Sequence, residues 1–282
     1  MKKGLILEGG AMRGMFTAGV MDVMMENGIE YDGAVGASAG AIFGCNYKSK
    51  QIGRVLRYNV RFCKDRRFCG LYSLITDGNI VSRKFAYNDV PLKYDIFDLE
   101  TYEKNPMEFW VVTTDVDTGE AYYHRYDSYD DHGFEWLRAS GSLPLVSQIV
   151  EIDDRRFLDG GIADSIPVRF LEEQGYDRNV VILTQPRDYR KDKSEVNGLV
   201  RFKYRKYPEF LKALEDRPSM YNAELEYVRK REDEGELFVF APKEPLGIKK
   251  LEKDPDVLRE VYQLGREAAL ERLNELKEFL GI

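Results

Sequence analysis

The sequence is poor in histidine and cysteine: His124 and His132 are the only histidines, and Cys45, Cys63 and Cys69 the only cysteines. Two histidines argue against a His-rich metal site, and no metal is expected. Three cysteines without paired metal spacing fit reduced thiols in a cytosol. Cys63 and Cys69 are near enough in sequence to pair on oxidation, but packing residues are the simpler reading. Positive charge is also in deficit, with 42 Lys and Arg against 49 Asp and Glu, a net charge of −7. That disfavours nucleic acid as the main partner, since phosphate binding needs a basic surface. Adhesion to an anionic membrane by overall charge is disfavoured for the same reason. No apolar run approaches the ~18–20 residues of a membrane span. The run before Glu8 in "MKKGLILEGG" is too short for a signal peptide, so a cytoplasmic location is expected. There is no internal repeat, low-complexity tract or Gly/Ser linker.

What is present suffices for a folded core, because 43% of the 282 residues are hydrophobic. "GLILEGG" reads as a short strand running into glycines. "MRGMFTAGVMDVMMENG" follows as a helix with Met15, Phe16, Gly19, Val20, Val23 and Met24 on one face and Gly28 as its stop. "YDGAVGAS" is a second strand, and "AGAIFGCNY" opens a second helix. A strand–helix–strand unit of this length implies a parallel pair and an α/β layered domain. Further strands are expected in "MEFWVVTTDVDTGEAYYH", in a hairpin around Asp153–Asp154, in "RNVVILTQP" and in "GELFVFAPKEP". Asp254–Pro255 reads as an N-cap with proline at the first helical position, starting a helix with Leu258, Val261, Leu264, Leu270, Leu273 and Leu276 as its core stripe.

Three segments carry candidate chemistry. In "EGGAMRG", Glu8 to Gly14, the glycines let backbone N–H groups approach a ligand at a helix N-terminus, which suits an oxyanion or a phosphate. A dinucleotide fingerprint needs a glycine where Ala11 stands, and no G-K-[ST] follows for a P-loop. In "GASAG", Gly36, Ser38 and Gly40 form a G-x-S-x-G pattern between a strand and a helix, the context of a nucleophile elbow; a tight turn of small residues explains the same pattern. In "LDGG", Asp159 precedes Gly160 and Gly161, which by itself reads as a hairpin turn. An α/β-hydrolase triad runs Ser, acid, His, and both histidines precede Asp159. Asp115 or Asp117 with His124 or His132 fits that order formally, but those histidines sit in a polar stretch rich in Tyr and Asp. A carboxylate acting directly on Ser38 is the more economical arrangement. The competing reading is a non-catalytic anion- or nucleotide-binding α/β protein that uses the glycine loop.

Together, "EGGAMRG", "GASAG" and "DGG" resemble, in order and separation, the motifs of the patatin-like phospholipase family. "ASGSLPLV", Ala139 to Val146, is similar to the small-residue and proline loop that precedes the family's aspartate. The resemblance covers roughly residues 4–170. The remainder, 171–282, looks similar to the tail of bacterial patatin-like proteins and is expected to pack onto the same domain. The resemblance implies a three-layer α/β/α fold with a central, mostly parallel sheet, and a cofactor-free serine acyl hydrolase of the lipase or phospholipase type. Ser38 and Asp159 would form its Ser–Asp dyad, and backbone N–H groups of Gly9, Gly10, Ala11 and Met12 its oxyanion hole. Arg13 would orient the loop or meet a substrate phosphate, with a helix-terminus ion pair as the plainer alternative. The family loop usually has three consecutive glycines, whereas the third position here is Ala11. A methyl group fits there if the residue has φ < 0, and otherwise reshapes the oxyanion hole or narrows acyl access.

The expected partner is a lipid or acyl ester, with peripheral contact to a membrane or lipid aggregate through two basic stretches, 48–67 and 187–206. Each holds eight Lys or Arg, opposed by Asp65 in the first and by Asp188, Asp192 and Glu195 in the second. A solvated face is the ordinary fate of such a run. Oligomeric state has no signature in the sequence.

Overall fold

The computed structural model describes residues 1–194 and 196–282, so Glu195 lies outside the described residues. Among the described residues eight strands form one sheet: β1 (Lys2–Leu7), β2 (Gly33–Ala37), β3 (Glu108–Asp115), β4 (Ala121–Arg125), β5 (Val150–Ile152), β6 (Arg155–Asp159), β7 (Tyr176–Ile182) and β8 (Leu237–Phe240). Its order is β5, β6, β3, β2, β1, β7, β8, with β4 added to β3. The run β3-β2-β1-β7-β8 is parallel, and β4, β5 and β6 are antiparallel additions.

The helices are α1 (Gly14–Glu26), α2 (Ala39–Lys48), α3 (Arg54–Phe62), α4 (Leu71–Asp77), α5 (Leu99–Lys104), α6 (Glu135–Ser140), α7 (Val168–Glu173), α8 (Gly198–Lys203), α9 (Pro208–Asp233), α10 (Pro255–Glu271) and α11 (Leu273–Leu280). Residues Phe85–Tyr94 form a wide π-type helical segment containing Pro91.

Strand alternation divides most of the apolar side chains between the two faces of the sheet, and a smaller third cluster gathers Leu158, Ile162, Val200, Tyr204, Phe210 and Leu214. Leu5, Leu7, Ala34, Phe109 and Ile182 join the helices α1, α2, α3, α6 and α10 on one face. Ile6, Val35, Trp110, Val112 and Val181 face α7 and α9 on the other. The result is a three-layer α/β/α arrangement with a mostly parallel central sheet.

Two sequence expectations need correction here. In the C-terminal stripe Leu258, Val261 and Leu276 are buried, but Leu264 and Leu270 are exposed. The close crossing of α10 over α1 instead buries Tyr262, Gly265 and Ala269. The basic stretch 48–67 is not simply an outer face. Lys48 is buried, donating to the Met107 carbonyl and to Asp127 Oδ1 at 3.0 Å, and Arg54 is buried against Asp95 and Asn46. These cations are internal struts because carboxylates and carbonyls satisfy them inside the fold.

Candidate active site

Sheet register explains how two residues 121 positions apart meet. β4 occupies one edge of β3 over Trp110–Thr114. β6, which pairs with Thr113–Asp115, must therefore take the other edge. β2 uses that same edge only as far as the pair Ala37–Val112, and the next pair along it is Asp159–Thr113. The ends of β2 and β6 thus abut, and Ser38 and Asp159 emerge side by side. Ser38 Oγ donates to Asp159 Oδ2 at 2.7 Å, and Gly161 N–H donates to Oδ1 at 2.8 Å, so the carboxylate is held on both oxygens.

The Ser38 turn is strained. Its φ is +53° and ψ −124°, outside the regions a side chain ordinarily adopts. It is tolerable because Gly36 and Gly40 touch: a Cβ at Gly36 would stand 2.5 Å from the Gly40 carbonyl carbon. The Ser38 N–H donates to Ser140 Oγ at 2.8 Å, and that hydroxyl donates to the Val112 carbonyl at 2.6 Å. Ser140, at the end of α6, lies in the small-residue loop noted in the sequence, but its task of fixing the elbow needed the structure to be seen.

Residues Ala11–Arg13 form one 3-10 turn leading into α1. The N–H groups of Gly10, Ala11 and Met12 open a helical segment, where no intrahelical acceptor exists, and Gly9 precedes it. The loop lies against the serine, for a Cβ at Gly9 would be 3.0 Å from the Ser38 Cβ. Ala11 has φ +49°, so the condition under which its methyl fits without strain is not met. The loop keeps the left-handed turn that a third glycine would make, at a cost of about 1–2 kcal/mol. Ala11 lines both the apolar cavity and the polar cleft beside Ser38, so its methyl stands at the junction of the two.

Burial pushes the Asp159 carboxyl above the ordinary range; the Arg217 charge and the hydrogen bonds from Ser38 and Gly161 pull the other way. Glu8 is likewise raised by burial and offset by Arg13. Both histidines are occupied elsewhere: His124 stacks on Trp136 at 3.8 Å, and His132 Nε2 lies 3.1 Å from Asp153.

Ser38 stands between two recesses. On one side is an apolar cavity of about 130 Å³ lined by Met12, Phe43, Tyr58, Val90, Phe134 and Leu137. On the other is a polar cleft of about 460 Å³, whose wall includes Arg13, Arg190, Lys191, Lys193, Arg217 and Lys250 beside Glu8, Asp159 and Asp192.

A strained serine between strand and helix, a glycine loop beside it and a buried carboxylate on its Oγ stand together at one end of the sheet of an α/β protein. The chain belongs to the patatin-like phospholipase family, whose model matches residues 5–171. Residues 207–281 match a domain of unknown function, DUF6363. The uncharacterised protein YjjU of Escherichia coli is 27% identical over 280 residues, covering 93% of this chain and 74% of that one. A lysophospholipase nte1 of Aspergillus niger is 27% identical over 181 residues, covering 62% of this chain but only 11% of its own length. Among solved structures, VipD from Legionella pneumophila aligns over 97% of this chain and 67% of its own, at 13% identity and a TM-score of 0.46.

Proposed function

We propose that the protein is a cofactor-free serine acyl hydrolase that cleaves carboxylic esters of lipids through Ser38 and Asp159. The observation that carries this reading is the 2.7 Å bond from Ser38 Oγ to an Asp159 carboxylate whose other oxygen is already held by Gly161 N–H. As Oγ attacks the ester carbonyl carbon, its proton passes to Asp159 Oδ2. The new oxyanion faces the N–H groups of Gly9 to Met12, an effect of about 3–4 kcal/mol per donor in other hydrolases. Collapse expels the alcohol, which takes the proton back. Water then gives a proton to Asp159 while attacking the acyl-enzyme, and as the acyl–Oγ bond breaks Asp159 returns that proton to Ser38 Oγ, releasing the acid. An ordinary aspartate, with pKa about 3.9, is a weak base for an alcohol, so transfer is concerted with attack, and the raised Asp159 carboxyl is better matched to it.

Family membership and the lysophospholipase among the relatives support a lipid ester as substrate. The apolar cavity suits an acyl chain, and the cationic cleft suits a leaving group that carries phosphate. The test uses a fluorophosphonate probe and two substrates of equal chain length, a lysophospholipid and a monoacylglycerol. Labelling on the Ser38 peptide and a larger kcat/KM for the lysophospholipid are expected. No labelling, together with thermal stabilisation by inorganic phosphate, would instead favour an anion-binding protein.

Peripheral contact with a lipid surface is part of the proposal, and exposed apolar side chains beside the site support it. Leu71 and Ile75 on α4 are 69% and 74% exposed, and Leu199 and Phe202 on α8 are 63% and 66% exposed. Both helices flank one loop over the site: Ile80 N–H donates to the Val146 carbonyl, and Lys203 Nζ to that of Ser147. Around α8 stand Arg201, Lys203, Arg205 and Lys206. Apolar tips within a basic collar are the pattern of an interfacial helix. Ser38→Ala protein is expected to co-sediment with phosphatidylglycerol vesicles more than with phosphatidylcholine vesicles. Adding Ile75→Asp and Phe202→Asp should abolish that binding; retention would remove this surface from the proposal.

A further inference from the structure

We infer that α9, inside the region matched to the domain of unknown function, is the strap that holds the catalytic loops in register. The inference rests on the hydrolase reading above. Arg217, Tyr221 and Glu224 recur at helical spacing on one face of α9, and each grips a different part of the site. Arg217 Nε donates to the Gly161 carbonyl at 2.7 Å. The N–H of that same glycine fixes Asp159 Oδ1, leaving Oδ2 to Ser38. Tyr221 Oη donates to Glu8 Oε1 at 2.7 Å, and the Thr184 N–H donates to Oε2 at 2.5 Å. Thr184 Oγ1 in turn donates to the Gly9 carbonyl at 3.1 Å, at the root of the oxyanion loop. Glu224 accepts the N–H groups of Ser165 and Ile166, just beyond the Asp159 turn.

The same helix secures the wall of the polar cleft. Asn222 exchanges two hydrogen bonds with the Lys191 backbone, each 2.9 Å. Pro218, inside α9, has no N–H for the Leu214 carbonyl; Ser194 Oγ donates to that carbonyl at 3.2 Å, binding the loop to the helix where the proline interrupts it. Below this face, Leu225 and Val228 are buried in the sheet core, which gives the strap a rigid base.

Arg217 acts through the Gly161 carbonyl and Tyr221 through Glu8, which makes them positioning residues for the two loops. Their effect is on geometry, and for Arg217 also on charge: burial raises the Asp159 carboxyl, and the Arg217 cation is the foremost influence lowering it. Misplacing either loop by about 1 Å is enough to cost roughly 100-fold in rate.

The test uses the full chain with Tyr221→Phe, Arg217→Gln and Arg217→Lys, assayed on a soluble short-chain ester. Tyr221→Phe keeps the ring and removes only the donor, so it should fold. Both Tyr221→Phe and Arg217→Gln are expected to lower kcat about 10- to 100-fold, with KM and melting temperature nearly unchanged. Arg217→Gln should also move the acid limb of the kcat profile to higher pH, and Arg217→Lys should return that limb to its wild-type position. Hydrogen exchange should quicken at residues 8–11 in Tyr221→Phe and at 159–166 in Arg217→Gln. Wild-type kcat and exchange in folded variants overturn the inference. So does a loss of rate that only tracks a fall in melting temperature, or one without faster exchange in these loops. If the wild type turns over no ester, the hydrolase reading fails, and exchange alone still decides whether α9 anchors the two loops.

Discussion

Asp159→Asn is expected to lower kcat on a short-chain ester by about 10²–10⁴-fold, the usual worth of a positioned general base, while raising the melting temperature at neutral pH. The two effects share one cause. Asp159 is only 2% exposed, and burial holds its carboxyl above the ordinary range. A carboxyl raised on folding keeps a proton in the native state that the unfolded chain has already released, so native stability falls as pH rises. The loss begins near the ordinary carboxylate pKa of about 3.9 and is complete above the folded value. Asparagine carries no such charge. Its carbonyl oxygen can take the Gly161 N–H and its amide can donate to Ser38 Oγ, so both contacts are kept, the second with donor and acceptor exchanged, without the buried carboxylate. Calorimetry should therefore show the variant more stable than wild type at pH 7, with the gap closing below about pH 4. Ser38→Ala should remove turnover to background, a loss on the order of 10⁶-fold, and the double variant should be no worse, because the two residues act as one unit. Full activity in Asp159→Asn would assign the base elsewhere.

Much of this site was legible as letters because its demands are local. Gly36, Ser38 and Gly40 announce themselves since only small residues allow a strand to turn so sharply into a helix, and the Asp159–Gly160–Gly161 turn does the same. The layered α/β fold followed from the alternation of short apolar runs with helical periodicity. The scarcity and placement of histidine steered the reading away from a triad; in the structure His124 stacks on Trp136 and His132 lies against Asp153.

The rest is non-local. That Asp159 meets Ser38 depends on where β2 stops along β3, which no window of sequence records. Ser140 and Thr184 act through single hydroxyls whose partners lie far away in the chain. Glu8 did leave a trace, as a carboxylate closing an otherwise apolar strand. Arg217, Tyr221 and Glu224 lie in a stretch, 208–233, that carries no catalytic motif, and only their spacing of four and three residues puts them on one helical face. Lys48 and Arg54 mislead for the opposite reason: they look like surface charge and serve as internal struts, satisfied by partners such as Asp127 and Asp95.

Gly265→Ala should destabilise the protein although alanine is the better helix former by about 1 kcal/mol. In an exposed helix the substitution would help, so its sign reports how closely α10 crosses α1. At Gly265 an added Cβ collides with the Phe16 carbonyl oxygen, and at Gly19 on the facing helix it collides with that of Tyr262. These are backbone atoms, which cannot rotate aside. The crossing is clamped at both flanks, by Tyr262 Oη donating to Asp22 at 2.6 Å and by Arg266 paired with Glu26 at 2.8 Å. Gly265→Val is expected to cost roughly 3 kcal/mol or more, which for a chain of this size lowers the melting temperature by about 6–12 °C. Because α1 begins at the glycine loop beside Ser38, pushing it away from α10 also shifts Ala11 and Met12 from Ser38. Activity should therefore fall at temperatures where circular dichroism still reports a folded chain. That outcome would mark residues 171–282 as part of one cooperative unit with the catalytic core, whereas an unchanged melting temperature would mean that the two helices are free to separate.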